Sequence, residues 1–329
     1  MPPPGRPGTG VDDAPRPAKP GGIPAARGPA GADVPGLSVV IASDRADVTL
    51  RECLESIVAQ AESDSVQVLV VGGSGDGDAA RVAWRFPGVE HAEGPSGALV
   101  PQLWALGIAR CRAPIVALTS ARCVPGPGWV TAIRRAHGAP AAVGGAIEPD
   151  PEGDLRAWAV FFCRYAAHLP TRPAGPVAEL AADNASYRRQ DLEACRDAWA
   201  DGFWEPPVHA ALRARGVPLR FEPDIVVRHR GRPAPGTFLR QRMRHGRAYG
   251  AWRAGTEHAG ARALRVLASP AVPALLLGRI VRRVWPTVRY RWRLLASLPL
   301  VSVFIGAWTL GEVLGGLWGS AEAGGRSRT

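Results

Sequence analysis

Lysine is almost absent: of the 40 Lys and Arg residues in this 329-residue chain, only Lys19 is a lysine. A skew this complete runs through the whole chain, so by itself it does not mark nucleic-acid recognition. Cysteine is sparse too, at five residues: Cys53, Cys111, Cys123, Cys163 and Cys195. The number is odd and no C-x-x-C pair occurs, which argues against a disulfide framework or a zinc knuckle and suits a reducing compartment. No apolar run follows Met1, so no signal peptide is expected. A further absence is local. Between Glu93 and Glu148 there is no carboxylate, although IVALTSARCVPGPGW in that interval reads as a buried strand running into a Pro/Gly loop. In an open α/β sheet that is where ligands bind.

What is present is positive charge, and it is concentrated. The net charge is +11, while residues 231–293 carry 14 arginines against one acid, Glu257, leaving the rest of the chain slightly negative. The partner of this segment should therefore be local as well: an anionic membrane surface or a polyanion. The basic helix FLRQRMRHGRAYGAWR stands beside an apolar tail, which favours lipid over nucleic acid.

Residues 1–36 hold 10 Pro and 8 Gly and few large apolar groups, so they are expected to be disordered. Order begins at Leu37. LSVVIA, VQVLVV and IVALT are continuous apolar runs of the kind buried on both faces, with VEHA and AAVGGAI as further strand candidates. Helical patterns at 47–60, 98–112 and 129–137 alternate with them. This predicts a mostly parallel sheet with ligands at the carboxyl ends of its strands. Residues 155–168 and 191–199 and a short stretch ending at Arg215 read as helices, and LRFEPDIVVRH as a strand pair or bent strand. Residues 266–278 form a 13-residue uncharged run, and 294–311 an uncharged run of 18. The second is near the length of a bilayer span, the first too short for one. One span starting at Leu294, with 266–278 lying in the interface, is the expectation. A buried helical hairpin is the alternative, since Pro299 and Glu312 weaken the span. The arginines between the runs would hold that side cytoplasmic.

Taken in order, LSVVIASDRADVTLRECLESI, VLVVGGSGDGDA, ALGIARCRAPIVAL, CVPGPGWV, ADNASYRR and DGFWEPPVHAALRARGVPLRFEPDIVVRH resemble a family 2 glycosyltransferase of GT-A fold. The resemblance covers about residues 37–230. It implies an α/β, Rossmann-like domain of mostly parallel sheet flanked by helices over 37–230. The remaining divisions are a basic juxtamembrane helical segment at 231–265, membrane-associated helices at 266–319 and a tail at 320–329. It also implies transfer of a sugar from a nucleotide-sugar donor, usually with inversion, to a lipid or cell-envelope glycan acceptor at the cell membrane, with the catalytic domain cytoplasmic.

The resemblance carries specific residues. Glu205 matches the catalytic base; a helix-start charge is its plainer reading. Ser43 and Asp44 match the nucleotide-facing turn. Gly72 and Gly73 fall on the family's nucleotide-holding Asp pair, with Asp76 keeping an acid nearby. Asp183 and Asn184 match the loop under donor sugar and acceptor, or a turn pair. His229 matches a diphosphate or metal contact. The metal-binding Asp-x-Asp falls on Ser120, Ala121 and Arg122, so both acids are missing. The resemblance therefore allows Mn2+ or Mg2+ without requiring either. Arg122, with His229, is a candidate for the positive charge a metal supplies elsewhere. The missing acids keep a second reading open, a catalytically degenerate domain serving as a membrane-bound binding or assembly subunit. GGSGDG has spacing G-x-G-x-G, a poor match to a dinucleotide-binding turn.

Overall fold

The computed structural model describes residues 35–44, 48–61, 65–73, 77–232 and 234–325. The expected disorder of 1–36 concerns residues almost wholly outside that set, and Asp76 lies outside it as well.

The apolar runs become the middle of one sheet. Strands β1 (Leu37–Ser43), β2 (Val66–Gly73), β3 (Val89–Gly94) and β4 (Ile115–Ser120) lie parallel in the order β3-β2-β1-β4. Helices α1 (Val48–Ala61), α2 (Gly77–Ala83) and α3 (Val100–Ile108) connect them. Every residue of β1 is buried, because both of its faces are covered. Alternate side chains divide between two cores, as period-two geometry requires. Val39 and Ile41 face α1 with Leu50, Leu54 and Ile57, while Val40 and Ala42 face α3 with Leu103 and Trp104.

The second half mixes directions. In chain order it holds β5 (Cys123–Pro125), α4 (Trp129–Ala136), β6 (Ala142–Pro149), α5 (Leu155–Tyr165), β7 (Gly175–Pro176) and β8 (Asn184–Arg188). Then come α6 (Arg189–Ala194), α7 (Glu205–Ala214) and β9 (Leu219–His229). The sheet continues β4-β8-β6-β9-β5, with β8 antiparallel to both neighbours and β6 parallel to β9. LRFEPDIVVRH is one bent strand: Gly145 pairs with Glu222 but Ala146 with Val226, so three residues of β9 bulge out at Pro223.

The tail is α8 (Pro235–Thr256), α9 (Ala259–Ala268), α10 (Val272–Val284) and α11 (Val288–Gly325). Two stretches are long and apolar enough to cross a membrane, Ala259–Val284 and Val288–Leu317. The expected span from Leu294 falls within the second stretch, and the expected interfacial run 266–278 within the first. Almost none of the first stretch is fully buried, whereas close to half of the second is. Leu294, Val301, Phe304 and Ile305 of α11 belong to the same core as Trp158, Phe161 and Phe162 of α5. Tyr290 meets Trp158 at 5.4 Å, and Phe304 meets Phe238 of α8 edge-on at 4.7 Å. The opposite side of α11 leaves Val288, Trp292, Leu295, Val303, Leu310 and Leu317 exposed along one stripe.

Helices α8 and α11 touch backbone to backbone. A methyl group at Gly246 would strike the Trp308 carbonyl, and one at Gly250 the Glu312 carbonyl. From the other side, Gly311 lies against the Met243 carbonyl and Gly315 against that of Arg247. Each helix thus offers two glycines four residues apart, the small-xxx-small spacing that permits close approach. Glu312, read from the sequence as a flaw in a span, is buried at this crossing and paired with Arg253 at 3.1 Å and Arg265 at 3.6 Å. Gly246→Val is expected to lower stability by about 3 kcal/mol through overpacking. Gly255→Ala, where the added methyl meets nothing within 4 Å, is expected to be neutral or stabilising by up to about 1 kcal/mol. Thermal unfolding in detergent followed by circular dichroism reads both; equal losses would mean that the crossing is not tight.

Candidate functional site

The carboxyl ends of β1 and β4 bring Ser43, Asp44, Ser120 and Arg122 together. Arg122 Nη2 lies 2.9 Å from Asp44 Oδ1, and Gln241 of α8 donates from Nε2 to Asp44 Oδ2 at 3.2 Å. Both carboxylate oxygens of Asp44 are therefore engaged. The Ser43 hydroxyl is buried beside them without a hydrogen-bond partner. At the end of β2, Gly72 leaves room for α2 and β3: a Cβ there would sit 3.0 Å from that of Ala79 and 3.4 Å from His91 Nε2. Gly73 follows it under Pro95, whose carbonyl lies 3.9 Å from where its Cβ would be.

Asp183 is nearly fully buried and ties three segments together. It accepts from Ser120 Oγ at 2.6 Å and from Arg164 of α5 at 2.8 Å. Burial pushes its carboxyl up, but the Arg164 guanidinium and the Ser120 hydroxyl outweigh that and hold it below the usual carboxylate range. Asn184 has a structural position. Its Nδ2 donates to the carbonyls of Ala146 and Ile225, both at 2.8 Å, and its Oδ1 accepts from Trp129 Nε1 at 2.9 Å. The side chain clamps the bulge between β6 and β9.

Glu205 opens α7, followed by two prolines that suit a helix start. Its Oε1 accepts from the Ala182 amide at 3.4 Å. Burial raises its pKa to about 7, with nearby Asp183 adding to the rise against the backbone N–H groups of the helix start. A carboxyl with that value is half ionised near neutrality, the range a general base needs.

Two cavities meet under α8. One, of about 410 Å³, is lined by Glu205, Trp204, Arg164, Asp183, Arg242 and Trp308, among others. The other, of about 630 Å³, is lined by Asp44 and Arg122 together with Arg232, Arg240 and Arg244. Gln241 and His245 line both. The His245 ring stands edge-on to Trp204 at 5.9 Å, and its buried Nε2 has no hydrogen-bond partner. His229 lines neither cavity. It packs on Tyr165 at 5.1 Å, and Gly231 separates it from Arg122: a Cβ there would meet Arg122 Cδ at 2.6 Å and His229 Nε2 at 2.9 Å. Burial, reinforced by Arg164, lowers the pKa of His229 to about 3, so its ring is neutral and adds no cation beside Arg122.

A divalent ion finds few ligands here. Across the triplet on which the resemblance puts the Asp-x-Asp, Ser120 is bonded to Asp183, Ala121 has no donor side chain, and Arg122 is itself a cation. Among the described residues no group of three His, Cys, Asp or Glu side chains is arranged to hold a metal. Arg164, Arg240, Gln241, Arg244, His245 and Trp308 escaped the sequence reading. The signal in QRMRH was the spacing of Gln241, Arg244 and His245 on one helical side, masked by the charge around it.

No family profile and no curated protein matches the chain, but solved structures do. A mannosyltransferase from Pyrobaculum calidifontis in complex with GDP-Man and Mn2+ superposes over 85% of this chain and 87% of its own, at 15% identity and a TM-score of 0.52. A mycobacterial protein covers 64% of this chain and 72% of its own, at 16% identity and a TM-score of 0.45. GalNAc-T7 with UDP, GalNAc and Mn2+ covers 60% of this chain and 44% of its own, at 12% identity and a TM-score of 0.45. The first likeness establishes the fold. The chain has the expected GT-A-like α/β architecture, a central sheet flanked by helices, with an apolar helical tail.

Four buried histidines around this framework make the fold acid-sensitive. Burial lowers His137 and His168 to about 4, and His209 and His229 to about 3. The unfolded chain takes up protons below about pH 6.5 while the folded chain does not, so stability falls as pH drops through that window. Each histidine contributes up to about 1.4 kcal/mol per pH unit. Glu205, raised to about 7, acts in the opposite sense between its ordinary value and neutrality and offsets one of the four. The urea midpoint is therefore expected to drop between pH 7 and pH 5; a flat profile would mean that these rings titrate normally.

Proposed function

We propose that this chain is a membrane-associated, inverting glycosyltransferase of the family 2 type. It would move a sugar from a nucleotide-sugar to a hydroxyl of a lipid or cell-envelope glycan. The observation that carries the reading is the pairing of two cavities under one helix: a carboxyl with a pKa near 7 faces one, and an arginine-lined strand end faces the other. The fold shared with a mannosyltransferase solved with GDP-Man supports the same class of donor.

In this reading the donor lies in the larger cavity, with its nucleotide toward Ser43, Asp44, Gly72 and Gly73. The acceptor hydroxyl enters the smaller cavity beside Glu205. The hydroxyl oxygen attacks the anomeric carbon from the side opposite the diphosphate. As that bond forms, the bond from carbon to phosphate oxygen breaks, its electron pair leaves with the diphosphate, and the hydroxyl proton passes to Glu205. Asp183, held by Arg164 and Ser120, fixes the floor between the two reactants, and Asn184 fixes the strand behind it. Gln241 and His245, which border both cavities, sit where donor sugar and acceptor would meet.

The exposed stripe of α11 and the exposed α9–α10 segment supply an apolar surface. Arg279, Arg282, Arg283, Arg289 and Arg293 are exposed beside it, which suits an anionic cytoplasmic leaflet. The replaced metal acids favour one competing reading, a domain that binds nucleotide without turnover.

Glu205→Gln is expected to lower kcat by about 10²–10⁴-fold with nucleotide affinity unchanged. In the native chain, turnover should fall about tenfold per pH unit below pH 7, because the base must be deprotonated. A panel of UDP-, GDP- and dTDP-sugars with lipid and glycan acceptors, scored by nucleoside-diphosphate release, checks both. Nucleotide binding without release for any pair would support the binding-domain reading. The protein should also float with vesicles containing phosphatidylglycerol and less with neutral ones, and Trp292→Asp should weaken both; indifference to Trp292→Asp would move the membrane contact off α11.

A further inference from the structure

The larger cavity has an unusual charge. Four guanidinium groups come from three places: Arg122 follows β4, Arg232 follows β9, and Arg240 and Arg244 lie on α8. Among the described residues, Asp44 is the only carboxylate on its wall. The cavity thus carries a surplus of three positive charges. Part of this charge is held in place from outside the cavity or by neutral groups. Arg232 leans on the buried Asp150, with Nη2 at 2.7 Å from Oδ2, and Arg244 donates to the Gly97 carbonyl at 2.9 Å. Among the described residues Arg240 has only a 3.4 Å contact with the Thr237 hydroxyl, so within that set its guanidinium is nearly uncommitted. His245 adds a buried, unpartnered Nε2 at the inner end.

A divalent ion does not fit this wall. Asp44 already serves Arg122 and Gln241, and an added dication would face four guanidinium groups with one shared carboxylate to hold it. A diphosphate fits it well. It brings two to three negative charges and several planar pairs of oxygens, which guanidinium forks bind bidentately. Arginine also keeps its charge at every physiological pH, so the site would not depend on metal supply.

We infer that this cavity binds the diphosphate of the nucleotide donor through Arg122, Arg232, Arg240 and Arg244, without a divalent ion, so that α8 serves as the lid over the leaving group. The inference rests on the proposed donor chemistry and adds what neutralises the departing charge. It also changes the meaning of the basic segment: three of its arginines, Arg232, Arg240 and Arg244, face nucleotide, not lipid. When the bond from the anomeric carbon to the phosphate oxygen breaks, the electron pair arrives on an oxygen already surrounded by fixed cations. The stabilisation is then in place before the charge develops.

The test is calorimetric titration of the full chain in detergent with UDP, GDP and dTDP and their monophosphates, in EDTA and again in excess MnCl2. At least one diphosphate should bind with an affinity that agrees within about twofold in the two buffers, and its monophosphate about tenfold more weakly or worse. Arg240→Gln combined with Arg244→Gln should weaken the diphosphate about 10- to 100-fold and the monophosphate much less. Arg196→Gln, on a surface outside both cavities, should change nothing. The exposed positions of Arg240 and Arg244 make misfolding an avoidable confusion, and an unchanged melting temperature checks it. Diphosphate binding that appears only with manganese would overturn the metal-free site while leaving the transferase reading intact. Binding indifferent to the α8 double substitution would overturn the lid. No nucleotide binding in either buffer would overturn both this inference and the donor chemistry beneath it.

Discussion

The contact on which most of this structure depends is the crossing of α8 and α11. Four glycines let two helices meet at backbone distance, closer than any pair of larger residues would allow. Helix α8 borders both cavities, and α11 is rooted in the aromatic core beneath α5. The crossing therefore links the ceiling of the site to the base of the molecule. The cluster of Glu257 and Glu312 with Arg253 and Arg265 fastens its far end, using carboxylates that would be costly if left unpaired.

Beneath that ceiling the site is organised around one buried ion pair. Asp183 is satisfied by Arg164 and Ser120, and the three residues come from β8's entry, α5 and the end of β4. The same serine occupies a position where the resemblance calls for a metal acid. The replacement is thus built into the local hydrogen bonding and is not simply a missing ligand. Asp183 also acts at a distance: its charge is one reason Glu205 resists ionisation. Fixing one carboxylate in its charged form helps tune another toward neutrality, a division of labour that low dielectric makes effective.

The parallel half of the sheet was legible in the sequence because strands buried on both faces must be mainly apolar, as LSVVIA and VQVLVV are apart from Ser38 and Gln67, which bond to each other. The bend in LRFEPDIVVRH was half-legible from Pro223, but its bulge needed the β6 partner. The helical tail was legible as apolar and basic, not in its arrangement. Helix α11 is apolar on both sides, so composition cannot say which side enters the core. Beyond Phe238, helix α8 meets α11 largely through small glycine surfaces, so its amphipathic pattern is too weak to betray the contact. Charge counting has no direction, and for that reason Arg240 and Arg244 were grouped with residues expected to meet lipid. Glu205 was picked out by resemblance, and only its surroundings account for its raised pKa. The partnership of Asp183 with Arg164 joins residues on separate elements, which spacing alone does not reveal.

Because α11 fills the space against Trp158, Phe161 and Phe162, the chain has no clean seam between its sheet domain and its helical tail. Trimming the tail to obtain a shorter fragment would strip a wall from the hydrophobic interior, remove Trp308 from the smaller cavity and release α8. A division into a working head and a dispensable foot does not apply: α11 is part of the head.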